Sequence, residues 1–204
     1  QMGGWFNKEI HSLADLKGLK MRIPGFGGEV LKRVGGVPVT LPGGEIFPSM
    51  QSGALDATEW VGPYNDLAFG LYKASKFYYT PGWHEPGTTM ECMINEKAFN
   101  ELPADLQSIV RNAIKVANAD MLSEYTARNQ QALQTLINKH GVELRHFPDD
   151  VLRELKTIAE DVVEEAAEAD PLSKKVWASQ KTFKQQVSQW TEVSEATFLR
   201  ARAL

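Results

Sequence analysis

The chain has 204 residues, enough for one sizeable core or two small ones, with 24% charged and 43% hydrophobic residues and a net charge of -4. That balance suits a globular protein in water and argues against a nucleic-acid binder, which would carry a basic face; no apolar run approaches the roughly 20 residues that a bilayer-spanning helix needs. The single cysteine, Cys92, allows no internal disulfide and no Cys-based zinc knot, and its apolar setting reads as a small buried side chain.

The opening, Gln1-Met2-Gly3-Gly4-Trp5-Phe6, has no basic start followed by an apolar region, so no signal peptide is expected. It reads as the middle of a strand or loop, and an N-terminal portion is expected to be missing. Residues 1–94 then alternate short apolar runs with short helical patterns. Met21 to Ile23 reads as a strand closed by Pro24-Gly25, and Gly28 to Val34 as a helix stopped by Gly35-Gly36. Val37 to Thr40 reads as an edge strand because of Pro38. Glu45 to Ser52 is helical. Leu55 to Val61 is strand-like, and Pro63 starts a helix to about Ser75. Phe77 to Thr80 and Thr88 to Ile94 complete the strands of this half. Strands alternating with helices predict an α/β sheet.

The second half is mainly helix. Leu106, Ile109, Val110, Ala113, Ile114, Ala117, Met121 and Leu122 recur at helical spacing after Pro103, and Gly141 ends the pattern. Val142 to Phe147 is a lone strand. A helix follows from Pro148-Asp149 to about Ala169, where Asp170-Pro171 breaks it. Leu172 to Leu204 reads as one long amphipathic helix with Val176, Phe183, Val187, Trp190 and Val193 on its stripe. Such a stripe must cover its own domain or a second protomer. Three segments result: 1–94, 95–170 and 171–204.

Several chemistries fail on spacing. Gly25-Phe26-Gly27-Gly28 fits neither GxGxxG nor the Walker pattern. The four histidines lack the i, i+4 spacing of a helical metal pair, and there is no GxSxG elbow. Three places remain. Arg22 sits in an apolar strand, where a guanidinium needs an internal carboxylate or a bound one. Glu59, with Trp60 beside it, ends a strand just before Gly62-Pro63, where ligands of open α/β sheets collect. Glu85 lies in Gly82-Trp83-His84-Glu85-Pro86-Gly87 after another strand. If Glu59 and Glu85 converge they need a cation, a proton or an arginine between them, and a hard cation such as calcium accepts such oxygens. Each of the three also has a plainer reading, as an internal salt bridge or a solvated edge carboxylate.

Gln1 to Phe6, Leu16 to Gly25, Leu41 to Phe47, Gly53 to Trp60 and Pro81 to Gly87 together resemble the DctP-type solute-binding proteins of TRAP transporters. The Glu59-Trp60 and Trp83-His84-Glu85-Pro86-Gly87 versions resemble the branch that binds 2-oxo acids or lactate with a cation. The resemblance covers essentially the whole chain. It implies a periplasmic-binding-protein-like α/β fold with hinge-linked lobes, followed by long C-terminal helices. It implies that Arg22 pairs with the carboxylate of a small organic acid, with Trp60, Asn65 and Trp83 as pocket neighbours. Gln1, Glu59, the Trp60 carbonyl and Glu85 would hold sodium or calcium. The implied partners are TRAP membrane permease subunits in a periplasmic setting, and a second copy joined through the final helix. Members of this family normally begin with a lobe that this chain lacks. Two readings stand against a binding protein: a metal-assisted enzyme acting on oxo acids through Glu59 or Glu85, and a dimerising sensor module.

Overall fold

The computed structural model describes residues 1–204. Two compact units divide the chain, residues 1–156 and 157–204.

The first unit is an α/β layer built on one six-stranded sheet. Its strands are β1 (Gly4–Phe6), β2 (Lys20–Arg22), β3 (Val37–Val39), β4 (Ala57–Thr58), β5 (Phe77–Thr80) and β6 (Glu143–His146), in the order β3-β2-β4-β1-β5-β6. β2 runs parallel to β3 and β4, and β5 parallel to β6. β1 lies between β4 and β5 and is antiparallel to both. The register places Gly4 opposite Tyr79 and Arg22 opposite Thr58. The C-terminal ends of β2, β4 and β5 therefore share one edge of the sheet with the start of β1.

The helices of this unit are α1 (Gly25–Arg33), α2 (Gly43–Gln51), α3 (Pro63–Phe69), α4 (Glu96–Asn100), α5 (Ala104–His140) and the first part of α6 (Asp149–Ala167). The proline of β3 fits its place at the sheet edge, where one side of the strand has no partner to receive an N–H. Gly141 stops α5 with φ 67°, a left-handed conformation that costs glycine nothing. Trp5, Ile46, Met50, Leu55, Leu71, Tyr78, Leu136 and Val142 form the principal core, with Trp5 stacked on Tyr78 at 4.1 Å between ring centroids.

Several expectations change in this unit. Thr88 to Ile94 is exposed and forms no strand, and Cys92 within it is exposed. Apolar, β-prone residues are present there, but β5 already has β1 on one side and β6 on the other. Leu55 to Val61 contributes only Ala57–Thr58 to the sheet, because the chain turns at Trp60–Gly62 to enter α3. The stripe of α5 is buried only towards its C-terminal end. Its 37 residues span about 55 Å. Ala132 and Leu136 are buried, whereas Leu106, Ile109, Val116 and Leu122 are exposed.

The second unit holds the rest of α6 with α7 (Pro171–Val193) and α8 (Glu195–Arg202). The expected single C-terminal helix is thus two, interrupted at Ser194. Asp170 caps α7 by accepting from the Leu172 and Ser173 N–H groups at 2.8 and 3.0 Å, and the Ser173 hydroxyl, which donates to it at 2.6 Å, with these backbone donors holds its carboxyl below the usual range. Glu164 of α6 pairs with Lys181 of α7, and Lys184 lies 3.6 Å from Glu160. Leu172, Val176, Phe183, Trp190, Val193 and Phe198 are all exposed.

The uneven burial of α5 gives a paired expectation. Leu136→Ala, at a position 0% exposed, should cost about 2–5 kcal/mol in urea unfolding. Ile109→Ala, at a position 61% exposed, should cost under about 0.5 kcal/mol. Equal costs would show that the two ends of α5 pack alike.

Candidate functional site

Four segments meet at the shared sheet edge. β2 ends on Arg22, β4 runs into Glu59 and Trp60, β5 runs into the 81–88 loop, and Gln1 lies just ahead of β1. Strand ends of this kind are where an open α/β sheet can bind a ligand, since side chains there project past the last ladder bonds.

Arg22 Nη1 donates to Glu59 Oε1, and the two side chains are 13% and 5% exposed. The pair is thus nearly dry, and either charge alone there would be costly. Arg22 Nε donates to the Leu41 carbonyl at 3.3 Å, which fixes the plane of the guanidinium. Its carbon sits 5.6 Å from the centre of the Trp60 ring, and that ring stacks on Phe69 at 5.0 Å.

The second oxygen of Glu59 faces a different set of groups. His84 Nε2 lies 3.7 Å from Glu59 Oε2, and the imidazole is buried with neither nitrogen hydrogen-bonded. One ligand-type atom each from Glu59, His84 and Glu85 falls within 4.8 Å of the other two. Gln1 joins them: its Nε2 donates to the Trp60 carbonyl at 3.2 Å and to Glu85 Oε2 at 3.4 Å. Thr88 Oγ1 donates to Gln1 Oε1 at 3.2 Å. A Cβ on Gly82 would stand 2.8 Å from the Gln1 carbonyl oxygen, so glycine is what allows the 81–88 loop to lie this close.

The sequence-predicted residues therefore separate into two groups. Arg22, Glu59, Trp60, Gln1 and Glu85 converge. Trp83 is half-buried and meets His84 edge-on at 5.2 Å between ring centroids. Asn65 lies in the first turn of α3 with its Oδ1 buried and unpaired. No hydrogen bond joins Asn65 or Trp83 to Arg22. The helical i, i+4 spacing does not reveal His84, whose ligand-type neighbours come from a strand end 25 residues earlier and from its own loop. The Leu41 carbonyl carries no side-chain signal at all.

Behind the site sits Asp66, 1% exposed. Its Oδ2 accepts from Trp5 Nε1 at 2.8 Å and from the Tyr78 hydroxyl at 2.7 Å. Its Oδ1 accepts from the Val61 and Gly62 N–H groups at 3.2 and 3.0 Å. Burial pushes the carboxyl up to about 6, and the four donors pull the other way. Burial likewise raises the Tyr78 hydroxyl, and the Asp66 charge adds to it.

The family model described as bacterial extracellular solute-binding protein, family 7 (DctP), matches residues 1–170. The chain belongs to this family. A relative from Nostoc sp., named a monocarboxylate 2-oxoacid-binding periplasmic protein, is 46% identical over 198 residues, which is 97% of this chain and 54% of its own length. A TRAP periplasmic solute-binding protein from Colwellia psychrerythraea, solved with calcium and pyruvate, is 44% identical with a TM-score of 0.93. A second, from Pseudoalteromonas atlantica, solved with sodium and pyruvate, is 43% identical with a TM-score of 0.92. Each match covers 98% of this chain and 61% of the solved one. The DctP-type chain thus spans little more than half the length of the relatives it matches.

The two carboxylates, the Trp60 carbonyl and the Gln1 amide of this DctP-family protein suit a hard cation in chemistry. The amide N–H₂ of Gln1 stands where two of the oxygens converge, and turning the amide over would present its own oxygen to an ion instead.

The raised carboxyl of Asp66 predicts a pH-sensitive fold. Its folded pKa of about 6 lies above the ordinary 3.8, so the folded form binds the proton more tightly. The associated stability is fully present below about pH 4 and lost as pH rises through about 6, a swing of about 3 kcal/mol. Urea midpoints taken between pH 4 and 7 should show this loss, and Asp66→Asn should flatten it. An unchanged slope in the variant would assign the pH dependence to other groups.

Proposed function

We propose that this protein is the solute-binding component of a TRAP transporter, capturing a small monocarboxylic 2-oxo or 2-hydroxy acid together with a calcium or sodium ion in the periplasm. It would hand the acid to membrane permease subunits unchanged. The observation that carries the reading is the buried Arg22–Glu59 pair, set beside Glu85 and the Trp60 carbonyl. The solved relatives, with pyruvate beside calcium or sodium, support the same ligand class, and they are solute-binding proteins by name.

In this reading Arg22 clamps the acid carboxylate through its two Nη groups, with the Trp60 ring as a wall and Trp83 and Asn65 as pocket neighbours. Gln1, Glu59, the Trp60 carbonyl and Glu85 hold the cation. Residues 1–94 would carry all these groups, 95–170 the helical flank and 171–204 a pairing segment.

The ion pair explains why cation and acid would enter together. Nη1 of Arg22 is committed to Glu59, so an incoming carboxylate competes with an internal one. A cation that draws Glu59 to itself releases Nη1. It also compensates a site with one more carboxylate than guanidinium among Arg22, Glu59 and Glu85, so acid and cation each improve the site for the other.

Calorimetric titration of metal-stripped protein with pyruvate, with and without calcium or sodium, is the direct test. Binding should require the cation, and Arg22→Ala should weaken it by about a hundredfold, as for truncation of one partner of a buried charge pair. Glu59→Gln should raise the cation-free affinity above that of the parent, because the internal competitor is gone. Arg22→Ala binding pyruvate as tightly as the parent would defeat the arginine assignment.

We further propose a homodimer through α7 and α8. The support is their exposed apolar series from Leu172 to Phe198, which a second copy would cover. Removal of residues 172–204 should lower the mass measured by light scattering from that of a dimer to that of the shortened monomer. A parent that is already monomeric at micromolar concentration would reject the pairing.

A further inference from the structure

We propose that Asp66 is a positioning residue that aims the Trp60 carbonyl into the cation side of the site; this rests on the reading of that carbonyl as a cation-facing group. The argument starts from the peptide unit. The Trp60 C=O and the Val61 N–H belong to one planar trans peptide and point in opposite directions. Asp66 Oδ1 takes the Val61 N–H at 3.2 Å and the next N–H, that of Gly62, at 3.0 Å. Holding the N–H on the core side therefore turns the carbonyl outward, where Gln1 Nε2 meets it at 3.2 Å. The following peptide is held as well, since the Met2 N–H donates to the Val61 carbonyl at 3.2 Å. That bond places Gln1, one residue earlier, in register with the carbonyl it faces.

The clamp is itself anchored. Trp5 Nε1 from β1 and the Tyr78 hydroxyl from β5 hold Oδ2 at 2.8 and 2.7 Å. Both side chains are fully buried and stacked on each other, so the carboxylate cannot swing without breaking core packing. Four donors converge on two oxygens, and only a carboxylate accepts from all four. An amide would keep Oδ1 for the two backbone groups, but its N–H₂ would face Trp5 Nε1, which has no lone pair to offer. The Tyr78 hydroxyl can turn to accept, so the conflict is with Trp5 alone.

The test combines backbone amide exchange with calcium titration in the absence of acid, on the parent and three variants. Asp66→Ala should speed exchange at Val61 and Gly62 by about tenfold or more and weaken calcium about 10–100-fold, the range for loss of an outer-shell partner. Asp66→Asn should fall between that variant and the parent. Asp66→Asn combined with Trp5→Phe removes the donor conflict while keeping Oδ1, and should restore slow exchange and calcium binding. A residue acting on global stability alone would instead lower the unfolding midpoint with parental exchange at Val61 and Gly62 in the folded protein, and that result overturns the proposal. Should Asp66→Ala not fold, the double variant decides: fast exchange at Val61 and Gly62 despite an intact Oδ1 rejects the clamp, slow exchange supports it. A parent that binds no calcium defeats the cation reading, and the exchange data still judge the clamp on the carbonyl.

Discussion

A guanidinium and a carboxylate, nearly dry, face each other at the ends of two adjacent parallel strands. Everything else about the sheet edge follows from keeping that pair satisfied. Arg22 can sit at the end of β2 only because Glu59 follows β4, its parallel neighbour, in register. The Leu41 carbonyl and the Trp60 ring hold the guanidinium against rotation, and the second oxygen of Glu59 is left to face His84 and, beyond it, Glu85. A pair held this way contributes little to stability compared with an apolar replacement. In the proposed function its value lies in being exchangeable, since each partner would trade the other for a ligand of the same charge without leaving a bare ion in a low-dielectric setting.

The placement of β1 makes this edge a site. In a sheet of otherwise co-directional strands, a central strand running the other way brings its beginning, not its end, to the edge that holds the candidate site. Gln1 reaches the Glu85 carboxylate and the Trp60 carbonyl by that route. The same strand contributes Trp5 to the core, where its indole anchors Asp66. One short segment thus joins the polar edge to the packed interior through a handful of hydrogen bonds.

Much of the strand and helix alternation was legible in glycine and proline. Pro24-Gly25, Gly35-Gly36, Gly62-Pro63 and Gly141 all mark true element ends. Arg22 and Glu59 were legible as charges in apolar strand contexts, and the family resemblance joined them to Gln1, Trp60 and Glu85. What escaped the sequence was long-range. Thr88 to Ile94 has the composition of a strand, but the place beside β5 goes to β6, more than 60 residues further on. Asp66 looks like any acidic residue in the first turn of a helix after Gly-Pro. Nothing local tells that Trp5 and Tyr78, one on each of two paired strands, will close over it. His84 was hidden in the same way, its neighbour Glu59 lying on another strand end. Local rules describe where an element begins and stops; they are silent on which side chain from a distant strand fills the space above it.

α5 is anchored by its C-terminal turns, with Ala132 and Leu136 buried and the N-terminal half exposed. From Ala132 back to Ala104 the helix extends about 42 Å. It is therefore a lever with its fulcrum beside the core. A tilt of about 5° at Leu136 would carry the far tip through about 4 Å by the same helical geometry. By the same geometry, any displacement at the buried end of α5 is enlarged several-fold at Ala104.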